Sequence, residues 1–532
     1  MNGFDHWVLT GAIFLPIVGA VLIGFIPRAN EMRIKTVALG TTLVTLACGV
    51  YMIFEFNYSD SKALQFSVNR SWIDVIHSRY HIGVDGIALP MLILSMFICV
   101  LCVIYSWDHF PEPHDPKGFL ILILILEVGM NGTFAAEDLI LFFVFFELVL
   151  LPMYFMIGRW GGERRQYASI KFFLFTLFGS ALMILSFLAL YFKAGATTFD
   201  IPTLIAYFNN PAHALATSTA ILIFGGLFIG FAIKVPMFPF HTWLPDAHTQ
   251  APTVGSVILA AVLLKLGAYG FIRIAIPMLP HAAESWAPWI GGLAVIGIIY
   301  GSLCCLAQTD MKRLIAFSSV AHMGFVMLGI ATLTSYGINA AVFGMVAHGL
   351  ITGMLFFLAG SVHERYGTRE IKRLGGLLIT APRLGWILGF CAMASLGLPG
   401  LAGFWGEFPA ILSSFDPSGA LASHLGLFRA YMVIAAIGTV LAAGYLLWMF
   451  QRVAFGVPKP EFEHAHIHDV HTPEWLAWTP MLLLIVFFGI FPFAIFKTTN
   501  GAVNQATINV APPVNITGTN TGVTTSAVST SP

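Results

Sequence analysis

Apolar runs of about 20 residues recur from residue 7 to residue 496, and the connections between them are too short to hold a soluble domain. A helix needs about 20 residues to cross the hydrocarbon core, and only helices or closed barrels satisfy every backbone polar group there. The pattern predicts an all-α polytopic membrane protein of about 14 spans: 7–26, 35–56, 84–106, 118–136, 138–158, 167–192, 218–243, 251–278, 286–307, 311–333, 337–361, 384–412, 429–451 and 475–496. Composition agrees, with 58% hydrophobic and 10% charged residues against about 45–50% and 25% in soluble domains. Only "MNGFDH" precedes the first run; without a basic leader or a cleavage site, that run is read as a span and not as a cleaved signal. After Lys497 the chain turns polar and low in complexity, so 497–532 is expected to be an irregular tail.

Orientation follows from the bias of Lys and Arg between loops. Connections from an odd span to the next even one hold 16 of them: Arg28, Arg33, Lys35, Lys117, Arg159, Arg164, Arg165, Lys312, Arg313, Arg365, Arg369, Lys372, Arg373, Arg383, Arg452 and Lys459. The other side holds 7: Lys62, Arg70, Arg79, Lys193, Arg273, Arg429 and Lys497. This places both termini outside the cytoplasm. The six cysteines all fall in predicted spans. Cys99 and Cys102 form a CxxC with no second pair, which supports neither a zinc site nor an iron–sulfur cluster. No dinucleotide fingerprint, P-loop or haem motif occurs.

Three lysines remain inside spans: Lys171, Lys234 and Lys265. Each costs at least about 2.5–3.5 kcal/mol at the bilayer centre, so each needs a partner, water or a lowered pKa. Glu127, Glu147 and Glu407 are candidate partners. Glu147 follows Asp138 by nine residues, which puts it roughly 13–14 Å into its helix, near mid-membrane. A carboxylate and an amine at one depth can pass a proton when their separation changes; the plainer reading is a static pair fixing helix register.

Spacing favours a series. Lys234 and Glu407 each stand two residues before a proline and 173 residues apart; Glu147 and His322 are separated by 175 residues, Lys171 and His348 by 177. These offsets suggest two five-helix repeats, helices 4–8 (118–278) and 9–13 (286–451), flanked by helices 1–3 (1–117) and helix 14. An odd number of spans makes the second copy inverted, as in many transporters. Pro236, Pro239 and Pro245 predict a discontinuous helix 7; Pro399, Gly400, Gly403, Gly406 and Pro409 predict the same for helix 12, with Lys234 and Glu407 at the two breaks. Lys265, His322 and His348 lie between them as groups able to exchange protons.

The stretches "FFELVLLPMYFMIGRWGG", "KVPMFPFHTWLPDAHTQAPTVGSVILAAVLLKLGAYG", "KRLIAFSSVAHMGFV" and "GLPGLAGFWGEF" closely resemble the antiporter-like membrane subunits of respiratory complex I, over about residues 80–455. That family is similar to subunits of multisubunit sodium/proton antiporters and membrane-bound hydrogenases. A lysine is usual on helix 12 in most members, whereas glutamate marks one branch, and this chain has Glu407. The resemblance implies that Glu147 and Lys234 form a coupling ion pair, Lys265 is the central relay, His322 and His348 occupy the middle of the proton axis, and Glu407 is the terminal donor or acceptor. His241 and His248 are read first as stabilisers of the helix 7 break. The resemblance also implies proton transfer without a cofactor on this chain. NADH, FMN, iron–sulfur clusters and quinone would belong to other subunits or their interfaces. The expected partners are the neighbouring antiporter-like and other membrane subunits and lipids, with no nucleic acid, in a bacterial cytoplasmic membrane. The rivals are an antiporter subunit that needs no electron donor, and a purely structural scaffold. The loop 461–471, with four histidines, is read as a solvated loop ahead of a metal site.

Overall fold

The computed structural model describes residues 5–462 and 467–511. Thirteen helices among them are long and apolar enough to cross a membrane, and helix 12 makes a fourteenth crossing in two shorter halves, Pro382–Ser395 and Ala402–Ser413. Helix 8 (Thr253–Met278), helix 10 (Met311–Ala331) and helix 11 (Ser335–Tyr366) are buried on nearly every face, as expected of helices that are hydrophobic all round. Helices 1 and 2 (Asp5–Phe25, Glu31–Glu55) and helix 14 (Thr472–Ile490) keep apolar side chains such as Leu22, Phe54 and Leu483 exposed to the lipid position.

Loop contacts confirm the alternating path. On one side Lys117 Nζ donates to the carbonyls of Gly24 and Ile26 at 2.7 and 2.8 Å, Arg159 pairs with Asp115, and Lys312 Nζ donates to Ala251 O. On the other, Asp138 accepts from Ser78 Oγ at 3.0 Å, and Asn209 Nδ2 donates to Pro277 O. Both ends of the described chain lie on this second, less basic side.

The all-helical expectation missed one element. Between helices 2 and 3 (Ala88–Tyr105), strands Gln65–Ile73 and Ser78–Val84 pair antiparallel, Val68 opposite Ile82 and Arg70 opposite Tyr80. Residues 69–72 of the first strand are exposed, while 81–84 of the second are buried; among them is His81, whose Nδ1 lies 2.5 Å from Asp200 Oδ1. Burial pushes the Asp200 carboxyl up, but hydrogen bonds from His81 and Thr203 outweigh it and hold it below its ordinary range. The hairpin is thereby clamped to the loop between helix 6 (Arg165–Lys193) and helix 7.

Arg273, counted above among loop charges, instead lies half-buried within helix 8. It reaches Asp85 Oδ2 with Nη1 at 2.5 Å and Glu137 with Nη2, tying together the starts and ends of helices 3, 4 (Pro116–Ala135), 5 (Leu139–Trp160) and 8. Residues 497–506, expected in an irregular tail, lie in a helix (Phe493–Ala506) whose Thr499 donates to Asn339 Oδ1 of helix 11, and Thr507, just past its end, hydrogen-bonds Ser335. Residues 512–532 of that tail and 463–466 of the His-rich loop lie outside the described residues.

Candidate functional site: a buried row of titratable side chains

Helix 7 runs from Thr217 to Lys234, breaks over 235–242 and resumes as Trp243–Gln250. Lys234 is the last residue before the break, where the negative end of the helix dipole favours an ammonium. Two carbonyls at the break find donors: Trp243 Nε1 donates to Ile233 O at 2.9 Å and Met237 N to Ala232 O. Helix 12 breaks over 396–401, with Gly397 and Gly400 at φ +80° and +92°. These angles suit glycine, which lacks the Cβ that would clash.

Here the sequence reading needs correction. Gly403, Gly406 and Pro409 do not break helix 12; they lie inside its second half, as does Glu407. The glutamate backbone is more than a turn beyond the break, and only its side chain returns to it: a Cβ added at Gly397 would lie 3.2 Å from Glu407 Oε2.

Two glycines bring the row together. A Cβ on Gly267 would meet Phe231 O at 2.5 Å, so helix 8 can lie directly against the end of half-helix 7. A Cβ on Gly406 would stand 2.5 Å from Gly344 Cα, so helix 12 lies equally close to helix 11. Helix 8 is also wound as π-helix at Leu259–Leu263 and Phe271–Ala275, a distortion frequent at functional sites. Between the two segments sits Lys265, fully buried, donating to the carbonyl of Ala260.

Lys265 Nζ lies 2.6 Å from His348 Nδ1. The His348 ring is 5.9 Å, centroid to centroid, from that of His322, and His322 Nδ1 is 2.6 Å from Glu407 Oε1. A cavity of about 20 Å³ is lined by His322, His348, Thr352 and Glu407, room for about one water. His348 Nε2 and Glu407 Oε2, both buried, have no protein hydrogen-bond partner. Four of the six site residues named from sequence thus form one row. Ser395 Oγ and Tyr445 OH, 3.1 and 3.2 Å from His322 Nε2, orient its ring. Sequence reasoning missed both; Ser395 adjoins the break, while Tyr445 carries no signal at all.

The remaining pair is arranged differently from the expectation. No ion pair within 4.0 Å joins Glu147 to Lys234. Glu147 accepts from Ser180 Oγ, and Lys234 Nζ faces the Phe146 ring at 4.7 Å with no hydrogen-bond partner. Lys171 is paired with Asp246 at 2.7 Å and stays outside the row. Glu127 is fully buried with neither oxygen bonded to protein. His241 lies between Phe238 and Tyr300, and His248 is stacked on Phe356.

Comparison with known proteins places this geometry. Residues 136–433 match the family described as "NADH:quinone oxidoreductase/Mrp antiporter, TM", and residues 13–131 the one described as "NADH-ubiquinone oxidoreductase chain 4, amino terminus". NADH-quinone oxidoreductase subunit M of Rhodobacter capsulatus is 41% identical over 492 residues, covering 90% of this chain and 92% of that protein. The subunit M of Rickettsia bellii is 38% identical over 499 residues, covering 92% and 96%. A chain of respiratory complex I from Thermus thermophilus superposes with a TM-score of 0.82 at 28% identity, over 94% of this chain and 98% of that one. A chain of the Mrp complex from Dietzia sp. DQ12-45-1b shares the fold, with a TM-score of 0.82 at 20% identity over 96% of this chain and 53% of its own length.

Proposed function

The chain belongs to the NADH-quinone oxidoreductase subunit M family, and we propose that in such a complex it moves protons across the membrane along Lys265, His348, His322 and Glu407. Charge changes around Glu147 and Lys234 would drive the row. The observation that carries this reading is the row itself: a lysine, two histidines and a glutamate, buried at the interior of helices 8, 10, 11 and 12, with 2.6 Å contacts at both ends. Structure alone does not require four titratable groups in one file where each is costly to bury.

The energetics are of the right size. Moving a charge against the membrane potential costs about 2.3 kcal/mol per 100 mV, and each unit of pKa shift is worth about 1.36 kcal/mol. Two units of alternating shift at a relay lysine therefore suffice. The separation of Glu147 from Lys234 fits one phase of such a cycle, in which the amine stands apart from its carboxylate; their approach would complete the other. Breaks in helices 7 and 12 supply the mobility, and their positions suit two inverted repeats, helices 4–8 and 9–13. The electron-carrying groups belong in this reading to partner subunits, with both termini periplasmic in a bacterial inner membrane. An antiporter subunit is the second reading, supported by the fold shared with the Mrp complex; 38–41% identity to subunit M and Glu407 in place of lysine favour the first.

The test is Glu147→Ala in membranes containing the assembled complex. NADH-driven proton pumping should fall by about tenfold or more, a typical loss when a positioned proton-transfer group is removed, with complex content unchanged. Pumping equal to the parent would refute the reading.

A further inference from the structure

Helix 3 is buried over its whole length except at Pro90, Ile93, Phe97 and Ile104, which are half-buried. These four share one face of the helix, and that face opens toward the bilayer between helices 2 and 14. Near the less basic side the opening deepens into a cavity of about 350 Å³. Ile53 of helix 2 and Leu484 and Phe487 of helix 14 wall it, and Val346 and Leu350 of helix 11 form its floor. Only Tyr58 and Thr498 bring a polar side chain to the lining, and both hydroxyls are turned to the backbone: Tyr58 OH donates to Ile53 O at 2.7 Å and Thr498 Oγ1 to Ala494 O at 2.9 Å.

Size and chemistry select the occupant. From Leu89 to Phe97 the lining of helix 3 rises about 12 Å at 1.5 Å per residue, close to the roughly 15 Å of hydrocarbon in one leaflet. A helix is about 10–12 Å across, so a 12 Å length of one fills about 900 Å³ or more, over twice the space here. Water or a polar ring finds no hydrogen-bond partner in the cavity, whereas a hydrocarbon chain needs none. At the mouth, Lys497 adjoins the lining residue Thr498, and one turn further along the same helix a Cβ on Gly501 would lie 3.6 Å from Lys62 N. Both lysines are exposed, and neither is ion-paired or hydrogen-bonded among the described residues. Asp60, exposed in the same turn as Tyr58, offsets one of them. Glu55 lies on the face of helix 2 that Tyr51 turns to Asp5 of helix 1, away from the cavity. The mouth therefore suits a headgroup with a single phosphate.

We propose that this cavity holds one acyl chain of a phospholipid from the leaflet of the less basic side, with its phosphate at Lys62 and Lys497. The chain lies against the back of the helix that carries His348: Val346 and Leu350 stand two residues to either side of it, on the opposite face. Leu94 of the cavity lining and the carbonyl of Ala261, in the π-wound part of helix 8, both close on Gly349, where a Cβ would meet them at 2.8 and 2.9 Å. A filled cavity thus backs helix 11 at the level of the buried row and keeps water off its outer face.

The test places the whole complex in liposomes containing phosphatidylglycerol with a diazirine midway along one acyl chain. Irradiation and peptide mapping should put label on Phe97, Leu350 and Leu484 well above that on Leu22, which is exposed on helix 1. Leu484→Trp, which fills the cavity, and the double change Lys62→Ala with Lys497→Ala, which removes the ammoniums, should each lower the cavity label several-fold. Label at Leu22 with none in the cavity would overturn the proposal. Equal label at both, unmoved by either change, is the pattern of lipid merely bordering the protein and would overturn it as well. So would labelling of the cavity by a quinone carrying the diazirine on its isoprenoid tail in place of the phospholipid. Should Leu484→Trp not assemble, the two lysines, exposed at the surface, decide: cavity label that survives their removal undiminished refutes the headgroup site.

Discussion

Lys265→Met should lower NADH-driven proton pumping by about two orders of magnitude, the scale of a lost proton-transfer group, while leaving the complex assembled. Methionine fills nearly the same volume in a fully buried position, so packing changes little. What disappears is the amine that contacts His348 Nδ1, and with it the start of the row. Lys265→Arg makes the distinction sharper. Arginine keeps the positive charge but does not give up its proton in a protein, so a relay fails with it. A lysine that merely braced the π segment by bonding Ala260 O would be replaced well by arginine and poorly by methionine. Pumping per assembled complex, measured for both variants, separates the two roles: loss in both supports the relay, and survival in Lys265→Arg contradicts it.

Arg273→Leu should act on stability instead of transport. It leaves Asp85 and Glu137, 3% and 1% exposed, without their shared cation, and breaking a buried ion pair by removing one partner costs about 3–5 kcal/mol. Changes of even about 1–2 kcal/mol alter cellular abundance several-fold, so the assembled complex should drop at least that far. Pumping per remaining complex should stay near the parental value, because Arg273 lies outside the row. Arg273→Lys should recover only part of the loss, since a single ammonium cannot reproduce a planar fork that binds two carboxylates at once. Quantifying assembled complex in membranes against its NADH-driven pumping checks this; normal assembly of Arg273→Leu would contradict it.

What the sequence disclosed was whatever depends on local chemistry. Crossing helices follow from long apolar runs, and the interruption of helix 7 follows from prolines beside Lys234. Lys265, His322, His348 and Glu407 stand out because a titratable group in an apolar run is conspicuous. Tertiary relations stayed hidden. Prolines and glycines around Glu407 announced a break in helix 12, but Pro409 is accommodated inside a helix, and the two positive-φ glycines, Gly397 and Gly400, mark the actual interruption. Lys171 looked like a member of the series by its offset from His348, yet Asp246, on the other half of helix 7, neutralises it. Arg273 was assigned to a loop because it falls near a helix end; its two carboxylate partners come from segments about 190 and 140 residues earlier, which no local pattern announces. The hairpin at residues 65–84 was obscured because a short polar stretch between long apolar runs reads as a loop.

The central claim is that Glu407 holds a proton reversibly at the end of the row, and the most direct measurement is NADH-driven pumping for Glu407→Gln and Glu407→Asp at matched complex content. Both variants can accept a hydrogen bond, but only aspartate can take and release a proton, with a shorter reach toward His322 Nδ1 than the 2.6 Å contact of the parent provides. A relay predicts that glutamine lowers pumping by about tenfold or more while aspartate keeps most of it. A static carboxylate bracing the break beside Gly397 predicts the reverse order, because glutamine preserves length and shape. Strong loss in Glu407→Gln with retention in Glu407→Asp is the result the proton row requires; a glutamine variant that pumps like the parent would remove Glu407 from the pathway.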